Sequence, residues 1–150
     1  MPHSLEVHAP LPAPPKLRIA LIVDRTDWHA RQLIAAFARH RVRAVPVNLS
    51  SCGIATSRPS GVSIAGFGDA LPDAVMVRSM AGGSFQAVTL RLGILHALRE
   101  LGVPVWNDAR AIERCVDKSM TSFMLARAGI ATPDTWAVES LDAAKAIVAR

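Results

Sequence analysis

Several features that mark particular classes of protein are scarce or missing in this sequence. Only two of its 150 residues are cysteines, Cys52 and Cys115, and their spacing suits neither a metal site nor a redox pair. No uninterrupted apolar stretch approaches the ~20 residues that a membrane-spanning helix needs. Residues 1–15 lack the basic segment and apolar run of a secretory signal. We therefore expect free thiols, a cytoplasmic location and no membrane partner.

Lysine is also rare, although the formal net charge is +5. Of the 17 lysine and arginine residues, only Lys16, Lys118 and Lys145 are lysines. The arginines are scattered and aromatic residues make up only 5% of the chain, whereas a nucleic-acid surface needs clustered cations or interleaved aromatic residues. The composition therefore argues against a nucleic-acid partner. An anionic small molecule such as ATP suits the charge as well.

Apolar runs and helical patterns alternate between residues 17 and 106. Hydrophobic residues make up 51% of the chain, which is enough for a packed core. Four apolar runs predict strands over residues 17–23, 43–49, 74–78 and 103–106. Pro46 assigns the second strand to a sheet edge, because a central strand needs the N–H that proline lacks. The pattern predicts an α/β fold with a Rossmann-like, mainly parallel sheet.

Two helices are predicted between these strands. Asp27 suits the N-cap of a helix that ends near His40, and Ser84 suits the N-cap of a helix that ends at Gly102. The second helix is expected to bury an apolar stripe, which consists of Phe85, Val88, Leu92, Leu95 and Leu98. Residues 50–68 are irregular, and two weak alternating pieces within them predict a β-ribbon insertion.

The architecture is predicted to change after Asn107. The pattern indicates helices over residues 109–116 and from Asp117 to about residue 128. A strand is predicted over residues 135–138, and Ser140 is a suitable N-cap for a final helix.

This last part has no visible partner layer, and strands seldom stand without further pairing. We therefore expect the chain to be the front part of a longer protein. The predicted organisation is a mobile, proline-rich extension over residues 1–16, an α/β domain over residues 17–113, and the beginning of a second domain over residues 114–150.

Two candidate ligand-binding residues follow predicted strands. Ligands of open α/β sheets bind at the carboxyl ends of the strands, where Arg78 and Asn107 lie. An arginine in this place can hold a carboxylate or phosphate with two hydrogen bonds, but an ion pair with Asp24 explains Arg78 equally well. Asn107 has the alternative role of capping the helix that follows it, and we favour that role.

Lys118 is the strongest single candidate. It follows Asp117 at a predicted helix N-terminus, where free N–H groups and a lysine together suit a phosphate. A solvent-facing lysine is the alternative, but a cation in the first turn opposes the helix dipole, which favours a functional reason for its presence. Gly82, Gly83 and Ser84 could surround an anion with backbone N–H groups, although a tight turn before a helix explains them as well.

Other chemistries find no support in the sequence. No nucleophile is paired with a base, and no set of residues has metal-ligand spacing, so neither a catalytic residue nor a metal ligand is assigned. A nicotinamide-dependent Rossmann enzyme is excluded because residues 24–27, after the first strand, lack the glycine fingerprint.

The order of short motifs in residues 74–136 resembles RimK-type ATP-grasp carboxylate–amine ligases. Each motif is weak by itself, whereas the ordered set is specific. The matching positions are Val77-Arg78, Gly83-Ser84-Phe85, Leu95-His96, Leu101-Gly102-Val103, Asn107, Ala111-Ile112-Glu113, Asp117-Lys118, Leu125, Ala128-Gly129-Ile130 and Pro133. The sequence looks most similar to the branch that adds glutamate to tetrahydromethanopterin or related pterin cofactors.

This resemblance implies an ATP-dependent reaction through an acyl phosphate, with glutamate and a small molecule that bears a carboxylate as further substrates. It implies that Lys118 contacts an ATP phosphate and that Arg78 and Asn107 border the acceptor pocket. It also implies Mg²⁺, with most of its ligands beyond residue 150, where the second ATP lysine and the glycine-rich lid are expected as well. These 150 residues alone are therefore expected to be inactive.

Two other interpretations stay open at this point. A short protein could keep the fold as a non-catalytic binding or regulatory domain, and a RimK-like ligase could use a protein C-terminus as its acceptor. The sequence that follows Arg150 would distinguish the non-catalytic domain from the ligase. The assembly state is also open, with a homo-oligomer as one option.

Overall fold

A computed structural model of the protein describes residues 17–149. The predicted extension over residues 1–16 lies outside the described residues. The described chain divides into two compact units, residues 17–106 and residues 107–149. The predicted domain boundary after residue 113 stays a prediction.

A four-stranded parallel sheet forms the centre of the first unit, and the predicted α/β class is confirmed. The strands of this sheet are β1 Leu17–Ile22, β2 Val42–Val47, β5 Ala74–Val77 and β6 Val105–Trp106. Their order in the sheet is β2-β1-β5-β6. Pro46 is in register with Leu21 of β1. Because β2 lies at an edge of the sheet, no strand on its other side lacks the hydrogen bond that the missing N–H of Pro46 would donate.

An antiparallel ribbon interrupts the chain between β2 and β5, as predicted. It consists of β3 Gly53–Ile54 and β4 Val62–Ser63, preceded by a short 3₁₀-helix, Leu49–Ser51. Arg18 of β1 ties this region to the sheet: its guanidinium donates a hydrogen bond of 2.9 Å to the Gly66 carbonyl and lies 4.7 Å from the centre of the Phe67 ring.

Two helices of the first unit, α1 Trp28–Arg39 and α2 Phe85–Glu100, begin at the predicted caps. The Asp27 carboxylate accepts a hydrogen bond from the Ala30 N–H at 2.8 Å, and the Ser84 hydroxyl accepts one from the Ala87 N–H at 3.3 Å. These bonds satisfy amide groups that have no partner inside the helix.

The core of the first unit contains large side chains that are almost completely buried: Leu21, Ile22, Ile94, Leu95 and Leu98. The prediction that α2 buries Phe85 is wrong, since that side chain is 80% exposed. Phe85 is the first residue of α2, about two turns before the buried stretch that begins at Leu92 and includes Ile94, which the predicted stripe omitted.

The second unit consists of three helices, α3 Ala109–Val116, α4 Lys118–Arg127 and α5 Leu141–Val148. The predicted strand over residues 135–138 is wrong, because no strand forms there among the described residues. A β-strand needs a hydrogen-bonded neighbour, and the second unit offers none within residues 107–149.

Few side chains of the second unit are removed from solvent. Ala109 is the one buried residue within residues 107–149. Large apolar side chains are left exposed on this unit, including Phe123, Ile130, Trp136, Leu141 and Val148. In the described part of the chain, no helix combines the length and the apolar character needed to cross a membrane.

Candidate functional site

The carboxyl ends of β1 and β5 are joined by backbone hydrogen bonds in the first unit. The N–H groups of Arg78 and Ser79 both donate to the Ile22 carbonyl, at 2.9 and 3.2 Å. The Ser79 hydroxyl in turn accepts a hydrogen bond of 3.1 Å from the Asp24 N–H. Adjacent parallel strands end at the same edge, so this is the place where α/β folds bind ligands. The structure therefore fixes the backbone of Arg78 at a ligand-binding edge.

The side chain of Arg78 is exposed, and within residues 17–149 it forms no ion pair with Asp24. The ion-pair alternative with Asp24 is therefore wrong. The charge of Arg78 acts instead on the carboxylate of Asp27, whose pKa lies below its usual value. The hydrogen bond from the Ala30 N–H is the largest cause of this lowering, and the charges of His29 and Arg78 add to it.

The segment between β5 and α2 is held by an arginine that the sequence analysis did not single out. The Arg91 guanidinium donates through one Nη atom to the Ala81 carbonyl at 2.6 Å and to the Gly82 carbonyl at 3.0 Å. A Cβ atom at Gly83 would meet the Ala87 Cβ at 3.3 Å and the Arg91 guanidinium at 3.5 Å. Gly83 is thus explained by the close approach of α2.

A spacing signal for Arg91 was present in the sequence. Residues 83, 87 and 91 are spaced by four positions, and residues with this spacing lie on one face of a helix. Residue 83 precedes the first residue of α2 but continues the line of this face. The same geometry explains Gly82-Gly83 without a tight turn of positive φ, since neither glycine has a positive φ.

In the second unit, Asn107 does not have its predicted capping role. Asp108 is the N-cap of α3, and its carboxylate accepts a hydrogen bond from the Arg110 N–H at 2.8 Å. Asn107 precedes this cap and is exposed. The capping alternative for Asn107 is therefore wrong, and a ligand-binding role stays a prediction.

Lys118 is the first residue of α4, as predicted, and Asp117 is its N-cap. The Asp117 carboxylate accepts hydrogen bonds from the Ser119 hydroxyl at 2.6 Å and from the Met120 N–H at 3.0 Å. Both bonds lower the pKa of Asp117, and the bond from the Ser119 hydroxyl is the larger cause. The carboxylate is consequently charged at neutral pH and stabilises the positive end of the helix dipole.

The ammonium group of Lys118 points back toward the preceding helix. It is exposed and donates a hydrogen bond to the Cys115 carbonyl in the last turn of α3. A cation suits the C-terminus of a helix, where carbonyl groups lack partners. The unfavourable position of Lys118 in the first turn of α4 is thus compensated by a favourable one at the end of α3.

The three predicted binding residues are distributed over both units. Arg78 belongs to the first unit, whereas Asn107 and Lys118 belong to the second. Within the second unit, Asn107 and Lys118 flank the opposite ends of α3, whose eight residues span about 12 Å at 1.5 Å per residue. The structure therefore does not bring these two side chains together.

A surface hollow of about 670 Å³ lies in the second unit, beside α4. Ser119, Phe123, Gly129 and Pro133 are among its lining residues, and Asp134 is the only charged residue in the lining. A lining that contains a carboxylate and no cation does not suit a phosphate group.

A magnesium site also has no basis in the described residues. Within residues 17–149, no group of three or more histidine, cysteine, aspartate or glutamate side chains is placed to hold a metal ion. Cys52 and Cys115 are free thiols, and partial burial raises the pKa of Cys52, which keeps this thiol protonated at neutral pH.

Solved structures identify the class of protein to which this arrangement is similar. A RimK-domain ATP-grasp protein from Sphaerobacter thermophilus superimposes with a TM-score of 0.65 and 27% identity, over 88% of this chain and 45% of that one. An ATP-grasp ligase bound to its precursor peptide and AMPPNP has the same fold, with a TM-score of 0.58 and 16% identity, over 94% of this chain and 53% of that chain. The predicted resemblance to RimK-type ATP-grasp ligases is confirmed.

A particular ligase is similar in sequence. The tetrahydromethanopterin:alpha-L-glutamate ligase of Methanosarcina acetivorans is 39% identical over an alignment of 140 residues, which covers 86% of this chain. The chain spans only 41% of the length of that relative. A comparison with family models gives no match.

Proposed function

We propose that this chain is the N-terminal portion of an ATP-dependent ligase that joins glutamate to a carboxylate of a pterin cofactor such as tetrahydromethanopterin. The observation that carries the proposal is the 39% identity to a tetrahydromethanopterin glutamate ligase, since the alignment covers 86% of this chain. Similar folds alone would not support a substrate, because one fold serves many reactions.

The proposed reaction has two steps. A carboxylate oxygen of the acceptor attacks the γ-phosphorus of ATP, the bond from this phosphorus to the bridging oxygen breaks, and ADP leaves. The amine of glutamate then attacks the acyl carbon and loses a proton, and inorganic phosphate departs with the original carboxylate oxygen. Charge develops on the phosphoryl oxygens in the first step, so cations positioned around them lower the barrier.

In this proposal Lys118 binds an ATP phosphate. An ammonium group carries three protons, and the hydrogen bond to the Cys115 carbonyl uses one of them. This bond fixes the position of the ammonium group and leaves two of its protons available to donate to phosphate oxygens. The exposure of Lys118 keeps the group accessible to a ligand.

Arg78 and Asn107 are proposed to border the acceptor pocket. Arg78 is exposed at the carboxyl edge of the sheet with its backbone fixed by Ile22, which suits recognition of a carboxylate. Asn107 is exposed beside the cap of α3, and its amide can both donate and accept hydrogen bonds.

The remaining machinery is proposed to lie outside residues 17–149. These residues offer no metal-ligand cluster, and the apolar side chains of the second unit are left exposed, as expected for the first elements of an ATP-grasp domain whose partner layer is supplied by further sequence. The chain alone is therefore expected to be inactive. The cytoplasm is the proposed location, because both cysteines are free thiols.

An isotope experiment tests the acyl-phosphate step. The native gene product would be incubated with ATP, Mg²⁺, glutamate and a pterin acceptor whose carboxylate carries heavy oxygen. The proposal predicts that one heavy oxygen appears in inorganic phosphate, detected by mass spectrometry. Heavy oxygen in AMP would show an adenylate intermediate and contradict the mechanism, and label that stays entirely in unreacted acceptor would contradict the ligase assignment.

A further inference from the structure

The loop that carries Arg78 is pinned at both of its ends. At its beginning, the N–H groups of Arg78 and Ser79 bind the Ile22 carbonyl. At its other end, the Arg91 guanidinium binds two successive carbonyls, those of Ala81 and Gly82. Only Met80 lies between the two attachments. The path of the loop is thus determined jointly by β1 and by a side chain of α2.

The attachment by Arg91 is well suited to hold a loop. Its bonds of 2.6 and 3.0 Å come from a charged donor, and such hydrogen bonds are stronger than neutral ones. The Arg91 side chain is half-buried, and it originates from the helix that buries Leu92 and Leu95 in the core. The guanidinium that binds the loop is therefore attached to a rigid helix.

We propose that Arg91 is a positioning residue that holds the loop over residues 78–83 so that the Arg78 guanidinium faces the acceptor carboxylate. This inference rests on the proposed function, because it assumes that Arg78 binds that carboxylate. Arg91 donates its hydrogen bonds to backbone carbonyls, and no role for it in contact with substrate is proposed. Its effect is expected in acceptor binding, since misplacement of a binding group by about 1 Å can weaken an enzymatic step strongly.

Arg91→Met tests the proposal, because methionine keeps an unbranched stem and removes every donor. In the native gene product we expect the KM for the acceptor carboxylate to rise roughly tenfold, while the KM for ATP and kcat change little. Arg91→Lys should restore part of the acceptor affinity, since an ammonium can still reach a carbonyl. Arg39→Met, at an exposed arginine in the last turn of α1, is the matched control.

A second readout does not depend on ligase activity. Amide hydrogen exchange at residues 80–83 should become about tenfold faster in Arg91→Met, with the exchange of β1 and the rest of α2 unchanged. Unchanged exchange in this loop, or an equal loss of affinity for ATP and acceptor, would overturn the positioning role. If the unaltered gene product lacks glutamate-dependent activity, the proposed function fails, and the hydrogen exchange still decides whether Arg91 orders the loop.

Discussion

Replacing Lys118 with alanine is expected to weaken ATP binding by about tenfold to a hundredfold. The physical reason is the loss of a charged hydrogen bond from the ammonium group to a phosphate oxygen. Calorimetric titration of the native gene product with ATP measures the effect. The affinity for the acceptor should change much less, because Lys118 is assigned to the nucleotide.

Lys145→Ala is the matched control, since Lys145 is also exposed and lies on α5 of the same unit. The thermal midpoint of Lys118→Ala separates the two roles of this residue. Because Lys118 also binds the Cys115 carbonyl at the end of α3, its loss should reduce stability slightly. A lower midpoint with unchanged ATP affinity would show that Lys118 only stabilises the end of α3, and the nucleotide-binding role would have to be withdrawn.

Leu95→Ala is expected to lower the free energy of unfolding by about 2–5 kcal/mol. Leu95 lies on α2 in the core of the first unit and is 0% exposed, so its truncation removes apolar contacts and leaves a cavity. Urea denaturation followed by far-ultraviolet circular dichroism measures the change. Such a loss is a large part of the stability of an ordinary domain.

Leu90→Ala provides the comparison within the same helix and residue type. The Leu90 side chain is 48% exposed, and its truncation should therefore cost clearly less than that of Leu95. Equal losses for the two variants would contradict the placement of the core on the face of α2 that contains Leu95.

Much of the first unit follows from its sequence. The apolar runs around Leu21 and Val75 predict strands, and Pro46 predicts the edge position of β2, which the sheet order confirms. Asp27 and Ser84 are predictable as caps because short polar side chains before a helical pattern can accept a hydrogen bond from a free N–H group of the first turn. Local chemistry determines these features.

The errors concern features that depend on neighbours in space. Phe85 has helical spacing relative to the buried residues of α2, but it lies about two turns before Leu92, the first of them. Residues 135–138 have strand-like composition and no partner strand within the described part of the second unit. Periodicity reports the face of an element and gives no information about where its partner ends.

The candidate site was also only partly predictable. The position of Arg78 after a buried strand placed it at the ligand-binding edge, whereas its electrostatic neighbour is Asp27 rather than Asp24. The sequence predicts Asn107 as the cap of α3, whereas the backbone places the cap one residue later, at Asp108. The hydrogen bond from Lys118 to the end of α3 forms only because the chain turns between α3 and α4. Helix propensities do not predict the geometry of that turn.

The most direct test of the central claim is the mass of the pterin after reaction. The native gene product, isolated from its own cells, would be incubated with ATP, Mg²⁺, glutamate and tetrahydromethanopterin, and the cofactor would be analysed by mass spectrometry. We predict a product that is heavier by one or more glutamyl residues and that forms only when ATP and glutamate are both present. An unmodified pterin, or glutamate attached to a protein C-terminus in its place, would contradict the assignment.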